Sequence, residues 1–492
     1  MKRIFIAAFL LASFFVNAQS NILLNTDFWK KNPNITLVQQ EINKGNNPSE
    51  ANGGNHDVVS MSINSGANID IIKFLIDQPG NSVDKLTHDG RLYIHWAASK
   101  ANIELIKYLI EKGSDINRTD DKGATALVFA ASNGQLNPEV YELFFNSGVK
   151  IDQKYANGAN ILLLAVANDT DLKLSEYLVS KGLKINSVDD FGRTAFDYAA
   201  RNGNIELLNK ISNKGVKATS NALLFAAQGS RFKTNDLETF KYLIEKLKIK
   251  ANATDETGAT ALHYIVKKGK QQDIINYFLS KKVDVNVVDN NGDNIFMVAS
   301  GAKDIETVKQ LLPKLKNINS VNKNGESALF LAVQNGTPEI VEYLITNGAN
   351  VKLDSKNGNL AYALVQSYKK PRPGQNSDEF VQKLQILKNK GVDFSTKQAD
   401  GSSLYHTAVV KNDVNLLKLL EGLNIDINAT DKQGLTPLHK AAMIGQDDVI
   451  LKYLLAKGAS KDKVTEFEET AFDLASENEY FSEKNVNIEF LR

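Results

Sequence analysis

A glycine returns along this chain at nearly constant spacing. It stands at Gly90, Gly123, Gly158, Gly192, Gly258, Gly292, Gly325, Gly358, Gly401 and Gly434, 33 to 35 residues apart or double that, except for one interval of 43 after Gly358. A period of this length marks a repeat architecture. A unit so short cannot enclose a core, so copies must stack and each must bury the apolar face of the next.

The residues around each glycine repeat with it. One copy reads Asp431-Lys-Gln-Gly-Leu-Thr-Pro-Leu-His-Lys-Ala-Ala442, another Asp255-Glu-Thr-Gly-Ala-Thr-Ala-Leu-His263, a third Asp120-Asp-Lys-Gly-Ala-Thr-Ala-Leu127. The glycine suits the positive φ of a tight turn. Thr125, Thr194, Thr260 and Thr436 follow where a helix should begin, with hydroxyls able to accept from its free amides. Small pairs such as Ala97-Ala98 and Ala441-Ala442 let neighbouring first helices approach closely. A second helix is predicted from apolar residues at helical spacing, as at Ile103, Ile106, Leu109 and Ile110. It should stop at a glycine such as Gly113, Gly148 or Gly458.

The period, Thr-Pro-Leu-His and Ala-Ala resemble the ankyrin repeat. The resemblance implies an all-α solenoid of about twelve helix-turn-helix units with short β-turn or hairpin fingers. The array is assigned to residues 51–464, with an N-terminal capping segment at 19–50 and a C-terminal capping repeat at 465–492. In the latter, Glu466-Phe-Glu-Glu-Thr-Ala-Phe472 keeps the phase but lacks the glycine. Three places depart from the pattern. The finger expected after Gly215 is missing (215–222), a loop at Gly229–Asp236 restores the lost length, and an insertion at 368–377 carries prolines and a glycine that mark an irregular surface loop.

Lys2-Arg3, an apolar run from Ile4 to Val16 and small Ala18 before Gln19 have the form of a secretory signal peptide over residues 1–18. The run is too short for the ~20 residues of a membrane span. Export to the periplasm or the exterior, with cleavage after Ala18, is therefore expected, and no membrane insertion afterwards. Lys plus Arg number 58 against 57 Asp plus Glu, which argues against a nucleic-acid partner. The absence of cysteine excludes disulfides and thiolate metal sites.

His95, His263, His406 and His439 each lie five residues after a marker glycine. In ankyrin repeats this histidine is a structural hydrogen-bonder, and that role is expected in place of a metal site. Pairs such as Asp120-Asp121 and Asp189-Asp190 fall at the turn phase and read as turn formers, not as a general acid and base. No phosphate-loop, zinc-protease or nucleophile-elbow motif is present. The chain is expected to be no enzyme and to take no cofactor.

The resemblance implies a concave groove lined by finger tips and first-helix faces. By phase, one unit contributes Arg91 and Lys100, and the next Asp121 and Lys122. Asp190, Phe191, Arg193 and Arg201 follow, then Glu256, Lys267 and Lys268. Asn291, Asn324, Asn357 and Tyr368 complete the candidate face. Loss of the finger after Gly215 is expected to expose Leu224 and Phe225 beside the basic residues Arg193, Arg201, Lys267 and Lys268, a docking place for an acidic segment. The expected partner is another protein, bound by a monomer. An inhibitor or immunity protein that blocks a toxin or enzyme, and an accessory protein protecting an oxidative-stress enzyme, remain open alternatives.

Overall fold

The computed structural model describes residues 21–229, 235–371 and 378–492. The predicted leader lies outside them, as do residues 230–234 of the loop after Gly229 and 372–377 of the insertion. Among the described residues there are 28 α-helices and no β-strand. The helices fall into consecutive pairs: twelve pairs between Val58 and Ala456, preceded by Thr26–Lys30 with Ile35–Asn43 and followed by Ala471–Ser476 with Glu479–Glu483. The predicted all-α repeat array, with its unit count, is what forms. Short fingers connect the pairs, closed by isolated bridges such as Val188 with Thr194 and Val288 with Asn294.

The chain forms two compact units, Met1–Thr219 and Ser220–Arg492. Their boundary falls inside the irregular stretch at 215–222.

Local chemistry explains each pair. In the first unit, the Thr125 hydroxyl accepts from Val128 N (3.4 Å) to open the helix Ala126–Ser132, leaving one fewer free amide at its start. First helices are buried almost throughout, Tyr93 to Ala98 without exception. Their alanines bring neighbouring backbones together, and Tyr93–Ser99 packs directly on Ala126–Ser132. The second helix Ile103–Glu111 buries only Leu105, Ile106 and Leu109. It ends at Gly113 (φ 86°), where Gly113 N donates to Ile110 O and Ser114 N to Leu109 O, both at 2.9 Å. This paired closure satisfies two carbonyls that the helix end leaves free.

The histidine position has a physical logic. In the second unit, the main-chain N–H of Thr260, Ser403 and Thr436 donates to Nδ1 of His263, His406 and His439 at 3.0–3.1 Å. Nε2 must then carry the proton, and it donates to the next finger: Asp293 O (3.3 Å), Leu435 O (2.9 Å) and Lys463 O (2.9 Å). These rings are buried, and burial pushes their pKa values down. The structural role expected of them is the one they have.

Where the next finger is absent, the residue changes. Asp197 takes the histidine's place in the helix Ala195–Ala200. Its carboxylate accepts from Thr194 N, Thr219 N and the Thr219 hydroxyl at 2.9, 2.8 and 2.7 Å. The shortened connection offers donors where a finger would offer a carbonyl, so an acceptor replaces the imidazole N–H. Asp473 repeats the choice in the last pair, accepting from Thr470 N at 2.8 Å.

One expectation fails here. Leu224 and Phe225 are buried, not exposed. Without a finger, the chain enters Asn221–Gln228 directly, and this helix packs on Ala261–Ile265 of its own unit.

Candidate protein-binding groove

Several fingers are built on an acceptor three residues before the glycine. Asp120 Oδ1 accepts from Lys122 N and Ala124 N (both 2.9 Å), and Asp289 Oδ1 from Asn291 N (2.8 Å) and Asp293 N (3.1 Å). Asn322 does the same with Asn324 N and Glu326 N (both 2.9 Å). Those acidic residues are turn formers, as expected. Successive fingers are then stitched along the array by single backbone bonds. In the first unit Asp121 N donates to Asp89 O and Asp190 N to Asn157 O, each at 2.9 Å. In the second, Asn290 N reaches Thr257 O (2.7 Å), Lys323 N Asn291 O (2.9 Å), Lys356 N Asn324 O (2.7 Å) and Lys432 N Asp400 O (2.9 Å).

The residue after the glycine can turn inward onto finger carboxylates, of the next finger at Arg91 and of its own finger at Arg193. This overturns two groove assignments. Arg91 is buried, with Nε 3.0 Å from Asp120 Oδ2, Nη2 3.1 Å from Asp89 Oδ2 and its guanidinium 4.2 Å from the Phe129 ring centroid. Arg193 is buried too, paired with Asp189 and lying 4.7 Å from the Phe191 ring centroid. A third correction is Tyr368, buried with its hydroxyl donating to Asp413 at 2.8 Å. Burial and that carboxylate push the phenol pKa up.

The basic patch is corrected by a second regularity. The free carbonyls at the end of several first helices take a polar side chain from the following repeat. Gln135 donates to Ser99 O (3.2 Å) and Asn202 to Ala167 O (2.8 Å) in the first unit; in the second, Lys411 donates to Gln366 O (3.1 Å) and Asn478 to Ala442 O (3.0 Å). Lys268 belongs to this series: half-buried, it donates to Gln228 O. Arg201 is half-buried as well, and burial pushes its pKa down. Lys267 remains exposed.

The other predicted residues do lie at the surface. Lys100, Asp121, Lys122, Asp190 and Phe191 are exposed in the first unit; Glu256, Asn291, Asn324 and Asn357 are exposed in the second. Several are engaged laterally: Lys122 with Asp89, Asp190 with Lys154 (3.3 Å), Asn357 with Glu326 (2.9 Å).

A feature that phase alone missed lies in the second unit. A cavity of about 440 Å³ opens between the finger at 355–358 and the finger at 398–401, over the helices Leu360–Ser367 and Leu404–Val410. Gln398 stands where the fingers described above have Asp120, Asp289 and Asn322. One methylene longer, it does not cap its own turn, and Asp400 accepts from Ser402 N instead (2.9 Å). The Gln398 side chain packs against Gly358, so close that a Cβ there would meet its Oε1 at 1.9 Å. Both of its amide atoms are buried without a hydrogen-bond partner among the described residues. Lys356, Lys411 and Lys440 line the same cavity with Val410, which is 57% exposed. A signal for Lys411 existed in the sequence, since it shares the phase of Lys100 and Lys268.

Comparison with known proteins agrees with this geometry. A family model described as ankyrin repeats (3 copies) matches residues 56–155, 127–222, 206–289, 223–314, 296–370, 374–465 and 405–487. The chain is 27% identical over 277 residues to transient receptor potential cation channel subfamily A member 1 of Homo sapiens, covering 49% of this chain and 24% of that protein. It is 25% identical over 257 residues to a putative ankyrin repeat protein of Rickettsia felis, covering 46% of this chain and 66% of that one. Ankyrin repeat and SAM domain-containing protein 6 of Rattus norvegicus is 30% identical over 121 residues, 24% of this chain and 13% of its own length. In each case the match spans only part of the relative. Matched from residue 56 to residue 487, the chain belongs to the ankyrin-repeat family.

Proposed function

We propose that this protein is an exported scaffold that holds an extended, acidic segment of a partner protein in the groove of its second unit. Ankyrin repeats are protein-interaction scaffolds, and this chain carries them over nearly its whole length. The observation that supports the place is Gln398. Buried in the empty groove, this amide leaves a donor and an acceptor unmade, which is costly, and turned outward it would match one peptide unit of an extended strand. Lys356 and Lys440 beside it favour carboxylates on that segment, and Val410 offers it an apolar contact. Export is supported by Lys2-Arg3, the apolar run and Ala18.

The experiment is photocrosslinking from position 410 in the source cell, with fractionation and mass spectrometry of the mature N-terminus. A crosslinked partner lost in the Lys356→Glu/Lys440→Glu variant, but kept when exposed Lys100 is reversed, supports the groove. A chain beginning at Gln19 outside the cytoplasm supports export. Equal crosslinking in both variants refutes the groove, and intact Met1 in the cytosol refutes export.

A further inference from the structure

We propose that a cavity beside the insertion binds a doubly charged oxyanion of the phosphate class through Lys303, Lys369 and Lys383. The site is independent of the partner-binding reading and shares only Gln366 with the groove cavity.

The helix after the insertion, Asp378–Asn389, has twelve residues where a regular second helix such as Pro338–Thr346 has nine. It packs against Pro338–Thr346 and Leu360–Ser367, with the Phe380 ring edge-on to Tyr368 at 5.4 Å. Between Asp378–Asn389 and the ends of Ala328–Asn335 and Leu360–Ser367 lies a cavity of about 380 Å³, lined among others by the three lysines, Asn335, Ser367 and Glu379. Lys383 is only 4% exposed, which is unusual for an ammonium with no carboxylate of the described residues on it. Of its three N–H groups, one donates to Val333 O at 3.0 Å. The one acid among the described lining residues, Glu379, pairs with Lys303 instead (3.2 Å).

Three ammonium groups against one carboxylate leave a surplus of two positive charges in one cavity. A buried cation without a counter-charge is expensive. Burial accordingly holds the Lys383 pKa down at about 8, with Glu379 opposing it and Lys303 and Lys369 adding to it. A dianion cancels the surplus, whereas a single carboxylate cancels half. The amide of Asn335 adds a neutral donor to the lining. The same chemistry is offered by free phosphate and by a phosphate ester on a side chain.

The test is calorimetric titration of the full protein with inorganic phosphate at constant ionic strength, alongside acetate and O-phosphoserine. Saturable one-site binding is expected, about tenfold or more tighter for phosphate than for acetate. Lys383→Met should abolish it, and exposed Lys369→Gln, which leaves the core untouched, should weaken it several-fold. Binding of O-phosphoserine as well would point to an ester, and its failure beside phosphate to the free ion. Acetate binding as tightly as phosphate, or unchanged phosphate binding in Lys369→Gln and a folded Lys383→Met, would overturn the site.

Discussion

The Asp197 carboxylate accepts both the main-chain N–H and the hydroxyl of Thr219, at 2.8 and 2.7 Å, and so closes the first unit where a finger is missing. Asp197 is fully buried, so its removal strands donors that water reaches poorly. Asp197→Ala should cost about 2–3 kcal/mol. Asp473→Ala removes the same carboxylate from an exposed pair and should cost only about 1 kcal/mol. Urea unfolding of both variants measures the contrast, and equal losses would refute the closing role.

The histidines set the response to acid. Burial holds His95, His263, His406 and His439 below the ordinary imidazole value. In the unfolded chain they protonate near pH ~6.5. A lowered folded pKa means that the unfolded state binds more protons below that point. Their contribution is therefore fully present above pH ~6.5 and declines as pH falls. His439→Ala should cost about 1–3 kcal/mol at neutral pH and flatten the melting temperature between pH 6.5 and 5. An unchanged slope would count against this account.

Lys267 and Lys268 are adjacent but differ in role. Lys268→Glu places a carboxylate against the carbonyl end of Asn221–Gln228, removing a hydrogen bond and adding repulsion, and should cost about 1–2 kcal/mol. Lys267→Glu, at an exposed position, should stay within about 0.5 kcal/mol. Thermal melts of the two single variants decide the matter.

Glu468 holds φ 63° at the position where other fingers have glycine. Its turn closes on Thr465 Oγ1, which accepts from Phe467 N (3.2 Å) and Glu469 N (3.3 Å). Glu468→Gly should relieve the left-handed strain and stabilise by about 1 kcal/mol. A lower urea midpoint in this variant would show that the side chain contributes more than the strain takes away.

The sequence by itself determined the unit. Glycine turns, threonine caps, paired alanines and glycine stops act within a few residues, and their period alone announces the stack. Histidine five residues after the glycine was legible for the same reason, because half of its bonding lies in its own turn. Which groove-phase side chains stay free was decided only by tertiary structure. Arg91 meets Asp120, Lys268 meets Gln228 O and Tyr368 meets Asp413, each about one repeat or more away in sequence. Phase says that a residue is near the groove. Whether it faces the groove depends on what the neighbouring unit holds at the touching position, and these units differ there. Gln398 and Lys383 were missed on the same grounds. One is orphaned by a single extra methylene against Gly358, the other buried by a helix that the insertion lengthened. Both effects arise from packing between segments that no local pattern encodes.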